Sequence, residues 1–164
     1  MAMATAKRAT AREKRRNKLA VKVAKDLLKN LRFYKHVEGG SYCLPVDDIA
    51  ESDIKTTKDA RKQCRVCAMG ALFVEAMHIN GSVFAGAGEK ILNVVNRCDQ
   101  DTGIIAALSP AFSSERLRNI EMAFEEGWHS DSVASWRGVD GSRQRLRDIL
   151  KWIIKHKGEF PPRH

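Results

Sequence analysis

Twelve basic side chains crowd the first 35 residues of this chain: Lys7, Arg8, Arg12, Lys14, Arg15, Arg16, Lys18, Lys22, Lys25, Lys29, Arg32 and Lys35, against only Glu13 and Asp26. That composition suits the binding of a polyanion, because Lys and Arg near phosphates release condensed counterions and so favour nucleic acid with little regard for its sequence. Arginine adds a planar fork that matches a phosphate, so an Arg-rich helix could lie in a groove. The expected contact residues are Lys7, Arg8, Arg12, Lys14, Arg15, Arg16, Lys18 and Lys22. Two other uses of such a segment stay open, docking on an acidic protein surface and simple solubility. The rest of the chain holds seventeen basic and eighteen acidic groups, so the net charge of +9 belongs to the N-terminal segment.

Cys64-Arg65-Val66-Cys67 has the two-residue spacing of a zinc half-site, and Cys43 and Cys98 are available to complete four ligands. A structural zinc site usually shows a second close pair, which is missing here. Read as part of a helix, Cys64 and Cys67 are better explained as buried thiols, so no metal and no cofactor is expected. A redox pair would need a βαβ pattern around it. Gly86-Ala87-Gly88-Glu89-Lys90 lacks the first glycine, the Ser or Thr after the lysine and the preceding strand of a phosphate loop, and reads as a turn leading into a helix. His36, His78, His129, His156 and His164 share no metal-ligand spacing and are expected at the surface or at caps. Glu75, Glu121, Glu125 and Glu126 offer carboxylates without a nucleophile or metal pattern beside them, and read as solvated helix faces. Trp128, Trp136 and Trp152 could stack on bases, but packing is the simpler use, above all for Trp152 in an apolar helix. No enzyme is expected.

The elements that must position these residues are helical. No Gly or Pro precedes Gly39, and Ala20, Val23, Leu27, Leu31 and Tyr34 step by three or four, with Val21 and Leu28 widening the stripe; a docked amphipathic helix is predicted from about Lys18. Residues 1–17 carry no such stripe and read as a solvated extension of that helix or as an arm that orders on a partner. Glu38 to Lys55 reads as a loop. Thr56 or Thr57 then caps a long central helix running through Cys64, Cys67, Ala71 and His78 to a stop at Asn80-Gly81. Shorter helices follow around Ile91–Cys98 and Ile104–Leu108. Ser113 or Ser114 caps one that buries Leu117, Ile120, Ala123 and Phe124, and Ser142 caps the last, which buries Leu146, Ile149, Leu150, Ile153 and Ile154 and ends at Gly158.

Strand signals are nearly absent, so the predicted fold class is all-α: a single compact domain of about five to seven helices, with a basic arm at 1–18, a helical body at 19–158 and a tail at 159–164. A domain of this length can bury roughly 70% of its unfolded surface and needs no staple. No run of about 18 apolar residues occurs and no apolar segment follows the N-terminal charges, so neither a membrane partner nor a secretory signal is expected. With four cysteines read as reduced thiols, the expected compartment is the cytoplasm, of a host cell if the protein is phage-encoded.

Cys67-Ala68-Met69-Gly70-Ala71-Leu72-Phe73 resembles the Cys-Ala-x-Gly-Ala-Leu motif of a group of small phage and bacterial proteins without an assigned activity. Leu117 to Glu125 resembles a segment that accompanies it in phage members, and the similarity covers about residues 20–127. It implies a compact helical domain of phage or mobile-element origin, with Gly70 and Ala71 as close-packing residues, Cys67 as a core thiol and no enzymatic role. Cys64 and the basic first 18 residues depart from that pattern. The expected function is therefore a non-enzymatic accessory protein that binds nucleic acid or a nucleoprotein through its basic segment. The alternatives are a module that inhibits or modulates a host or defence complex through protein contacts, or a small zinc-stabilised module.

Overall fold

A computed structural model describes residues 9–39, 43–85, 101–126 and 141–160. Six helices carry most of them: α1 (Ala11–Asn30), α2 (Thr57–Gln63), α3 (Ala68–Ala85), α4 (Asp101–Leu108), α5 (Ser114–Glu126) and α6 (Gly141–Lys155). The mainly helical expectation holds. The expected helix around Ile91–Cys98, the glycine-rich turn at 86–90, and Trp128, Trp136, His129 and His164 lie outside the described residues.

The α1 stripe packs as its spacing dictates, with Ala20, Val23, Leu27, Leu31 and Tyr34 all buried. Its start is set by a capping box: Thr10 Oγ1 accepts from the Glu13 backbone N–H, and the Glu13 carboxylate accepts from the Thr10 N–H. Helix α1 lies against α6 and α3, and α3 is the hub, touching α2, α4 and α5 as well. The core-facing residues of α5 and α6 are those expected, except that Ile154 is half-buried, and Ser113 Oγ accepts from the Arg116 N–H at the start of α5.

Two expectations are corrected. The helix expected to run unbroken from Thr56 to Asn80 is two helices separated by a strand. Thr56 caps α2 in a second capping box with Asp59, but the chain leaves the helix at Cys64 (φ −116°, ψ 145°), forms β3 (Cys64–Val66) and re-enters at Ala68. Helical φ and ψ are lost again at Asn80, the expected stop, before the chain resumes a helical course to Ala85. The stretch read as a connecting loop also contributes strands. β1 (His36–Val37) pairs parallel to β3 and β2 (Cys43–Pro45) antiparallel to it, with Cys43 opposite Val66 and Pro45 opposite Cys64.

The physical reason lies in β3, which is central in this small sheet and alternates, burying Cys64 and Val66 and turning Arg65 outward to Glu38 (3.2 Å) and Asp47 (3.3 Å). Ala60, Cys64 and Cys67 are spaced three and four apart, which a continuous helix also satisfies, and three residues are too short a run to announce a period of two.

Candidate nucleic-acid interface

On α1 the cations sort themselves by angle. A helix turns 100° per residue, so Lys14, Lys18, Lys22, Lys25 and Lys29 form one row, opposite the buried stripe and about 22 Å long at 1.5 Å per residue. All five are exposed, as are Arg12 and Arg15, and none of the row takes part in an ion pair among the described residues. Lysines one turn apart repel by about 0.2–0.5 kcal/mol per pair, so the four successive pairs cost the isolated helix about 1–2 kcal/mol.

The expected contact residues therefore divide. Lys14, Arg15, Lys18 and Lys22 point to solvent on the same side, and Arg12 is exposed at the flank. Arg16 is turned to the body, where its Nε donates to the Ser109 carbonyl at 3.2 Å. Lys7 and Arg8 lie outside the described residues. The row also extends past Lys22 to Lys25 and Lys29, so the wet side of the structural half of α1 continues the charge of the first half.

A second wall faces the start of the row. An open groove of about 700 Å³ runs between α1 and the end of α6, flanked by Lys14, Lys18 and Lys25 on one side and by His156 and Lys157 on the other. Glu159 is the only carboxylate among its lining residues, and Val21 and Ile154 give it an apolar floor. The His156 ring stacks on Trp152 with centroids 4.0 Å apart.

A knot of contacts ties the two walls together. Gly158 has φ +93°, a conformation that side chains resist, and a Cβ there would stand 2.4 Å from the Asn17 carbonyl oxygen. The Arg116 guanidinium donates to Asn17 Oδ1 (2.6 Å) and to the Gly158 carbonyl (3.0 Å), and burial lowers its pKa from the usual arginine value. Arginines do comparable structural work elsewhere. Arg143 donates to the Leu31 and Tyr34 carbonyls just past α1, and Arg145 to the Phe124 carbonyl near the end of α5.

The most concentrated buried charge lies on α3. Glu75 was expected on a solvated face and is instead fully buried. Its Oε1 accepts from Asn30 Nδ2 (2.6 Å) and Arg61 Nη2 (2.9 Å), and its Oε2 from the Tyr34 hydroxyl (2.7 Å). Burial, then the charge of Glu75, raises the Tyr34 pKa well above 10.0. Burial alone would lower that of Arg61, but Glu75 and Tyr34 outweigh it and raise it. The signal was legible: a lone Glu inside the apolar run Ala71-Leu72-Phe73-Val74-Glu75-Ala76 has no wet face to occupy. Nothing local pointed to Arg61 or Tyr34 as its partners.

Asp26, Glu75 and His78 bring one ligand atom each to within 4.8 Å of one another, the one such group among the described residues. With Arg61 already 2.9 Å from Glu75, a cation there would face a like charge at the same carboxylate. The cysteines form a different set. Cys43 and Cys64 lie on neighbouring strands, where a hydrogen bond with Cys43 and then burial push the Cys64 thiol far up. Burial pushes the Cys67 thiol up to about 12, against the pull of the Gly70 and Met69 backbone N–H groups at the start of α3. All three are buried thiols outside any disulfide, and Cys98 lies outside the described residues.

Comparison of the chain with protein-family models, curated proteins and solved structures gives no match.

Proposed function

We propose that this protein binds nucleic acid non-enzymatically, laying a phosphate backbone along the lysine row of α1 and into the groove beside α6. The observation that carries the reading is the row itself: five exposed lysines in register on one face, none in an ion pair among the described residues, on a helix whose other face is firmly docked. Arg116, Arg143 and Arg145 are spent on backbone carbonyls and Arg61 and Arg65 on carboxylates, while these lysines are held out at a spacing of about 5.5 Å along the axis, against one phosphate per 3.4 Å on each strand of a duplex. Such contacts fix position without reading bases, so the binding is sequence-independent. The resemblance at residues 67–73 supports a phage or mobile-element setting for it.

The test is fluorescence anisotropy with labelled duplex and single-stranded oligonucleotides across a salt series. The wild type should show a steep linear fall of log affinity with log salt, and Lys14→Gln/Lys18→Gln/Lys22→Gln/Lys25→Gln should make that slope shallower by about 3 to 4 on duplex DNA. An unchanged slope and affinity would refute the proposal. A lysate partner retained after nuclease treatment, and lost in the same variant, would reassign the row to an acidic protein surface.

A further inference from the structure

Beyond the other end of the lysine row, the chain forms a smaller cleft of about 310 Å³ between the turn after α1, helix α2 and the wet side of α3. We propose that this cleft is a pocket for a single nucleoside phosphate, with the base on Phe33 and the phosphate on Lys58, Arg61 and Lys62. The inference goes beyond the strand-binding reading and stands without it.

Three observations converge. Phe33 is 42% exposed, a large apolar ring left at the surface where it lines the cleft, and the Arg32 guanidinium sits over it at 4.7 Å. The guanidinium covers part of the ring, and the exposed remainder offers an aromatic surface to a flat partner, the kind of platform on which bases stack. Lys58, Arg61 and Lys62 line the same space from one face of α2, being three and four residues apart. Asp59, the acid of this helix, is committed elsewhere: its carboxylate accepts from the Lys55 and Thr56 backbone N–H groups.

The third observation concerns Arg61. Its side chain is nine-tenths buried and lines the cleft, with Nη2 donating to Glu75 Oε1 at 2.9 Å, so a positive charge held in place by the fold borders the space that Lys58 and Lys62 line. Thr57 and His78, also in the lining, are hydrogen-bonded to each other through Oγ1 and Nδ1 at 3.2 Å, and the hydroxyl and ring are polar groups suited to a ribose hydroxyl or a base edge.

The combination narrows the ligand. A bare phosphate has no use for Phe33, and an uncharged ring has none for three cations. At about 310 Å³ the cleft is at the small end of ligand sites, which suits one nucleotide rather than two. The unit is either a free nucleotide or one nucleotide of a single strand.

Calorimetric titration of the full chain with AMP, adenosine, inorganic phosphate and phenyl phosphate tests it. AMP should bind more tightly than each of the other three. Phe33→Leu should weaken AMP by about fivefold or more while leaving phosphate unchanged, and Lys58→Gln/Lys62→Gln should weaken both. AMP no tighter than phosphate or phenyl phosphate, or untouched by Phe33→Leu, overturns the proposal. The Lys14/Lys18/Lys22/Lys25 variant should keep its AMP affinity, since loss there would put AMP on the lysine row instead. Displacement of AMP by an unlabelled dA12 strand assigns the pocket to a nucleotide within a strand. Absence of displacement assigns it to the free nucleotide.

Discussion

The lysine row of α1 and the Glu75 cluster meet along the same helix, yet they treat charge in opposite ways. Around Glu75 every oxygen has its donor: Asn30, Arg61 and Tyr34 close on one buried carboxylate. Along the row five like charges stand in water with no partner among the described residues. A buried charge must be paired or the fold fails, so pairing there says little about function. An exposed row of one sign mildly weakens the helix that carries it, and that cost makes sense against a partner of the opposite sign.

Removing one side of each arrangement should separate the two. The largest effect is expected from Glu75→Ala, which strands the Arg61 charge, takes the acceptor from Asn30 Nδ2 and leaves the Tyr34 hydroxyl only the Ala71 carbonyl at 3.4 Å; urea unfolding should show a loss of about 3–5 kcal/mol. Adding Arg61→Met to Glu75→Leu should recover most of it, because an apolar pair in place of a buried ion pair is often neutral. If the single variant is no weaker than wild type, the cluster is not what holds α1, α2 and α3 in register.

Next comes Gly158→Ala, which forces a side chain into a positive-φ position and against the Asn17 backbone, at about 1–3 kcal/mol or more. It touches no charge, so it asks whether the groove matters apart from the row. Thermal melts should fall, and strand affinity should fall with them if the wall at His156 and Lys157 takes part.

A smaller effect of opposite sign is expected from neutralising the row. The variant with four glutamines should be more stable by up to about 1–2 kcal/mol in low salt, a gain that fades as salt screens the repulsion. Loss of stability would mean that the lysines hold the fold.

The last contrast is in pH. The Cys67 thiol, ordinarily near 9.0, is held to about 12 in the folded chain, and Tyr34 is likewise raised. For groups whose folded pKa is raised, the stabilisation is present below the ordinary value and lost as pH climbs, because the unfolded chain releases its proton first. Unfolding free energy should therefore decline from about pH 9 through Cys67 and from about pH 10 through Tyr34, by about 1.4 kcal/mol per pH unit for each group. Cys67→Ala should shallow that decline, and Ellman's reagent should reach Cys43, Cys64 and Cys67 only after unfolding.

Where a contact is set by neighbours in sequence, it was legible in advance. The stripe from Ala20 to Tyr34 and the buried faces of α5 and α6 follow from spacing alone, as do the caps at Thr56 and Ser113. The Thr10-x-x-Glu13 box is just as local, but the charges around it mask the signal. Relations across the fold were not legible. Cys64–Val66 becomes a strand because two short segments arrive on either side of it, and nothing in the three residues records that. Arg16 and Lys18 look alike in sequence, and only the position of Ser109 takes one into the body and leaves the other on the row.

Gly158 against Asn17 also sets an order of events during synthesis. The lysine row is made well over a hundred residues before the wall that turns it into a groove, which arrives only when residue 158 has left the ribosome and α6 has docked. A contact between residues so distant in the chain is slow to form. The nascent protein thus carries its charge before it carries its groove, and a chain stalled ahead of α6 would offer a polyanion the bare row with no wall to limit which one settles on it.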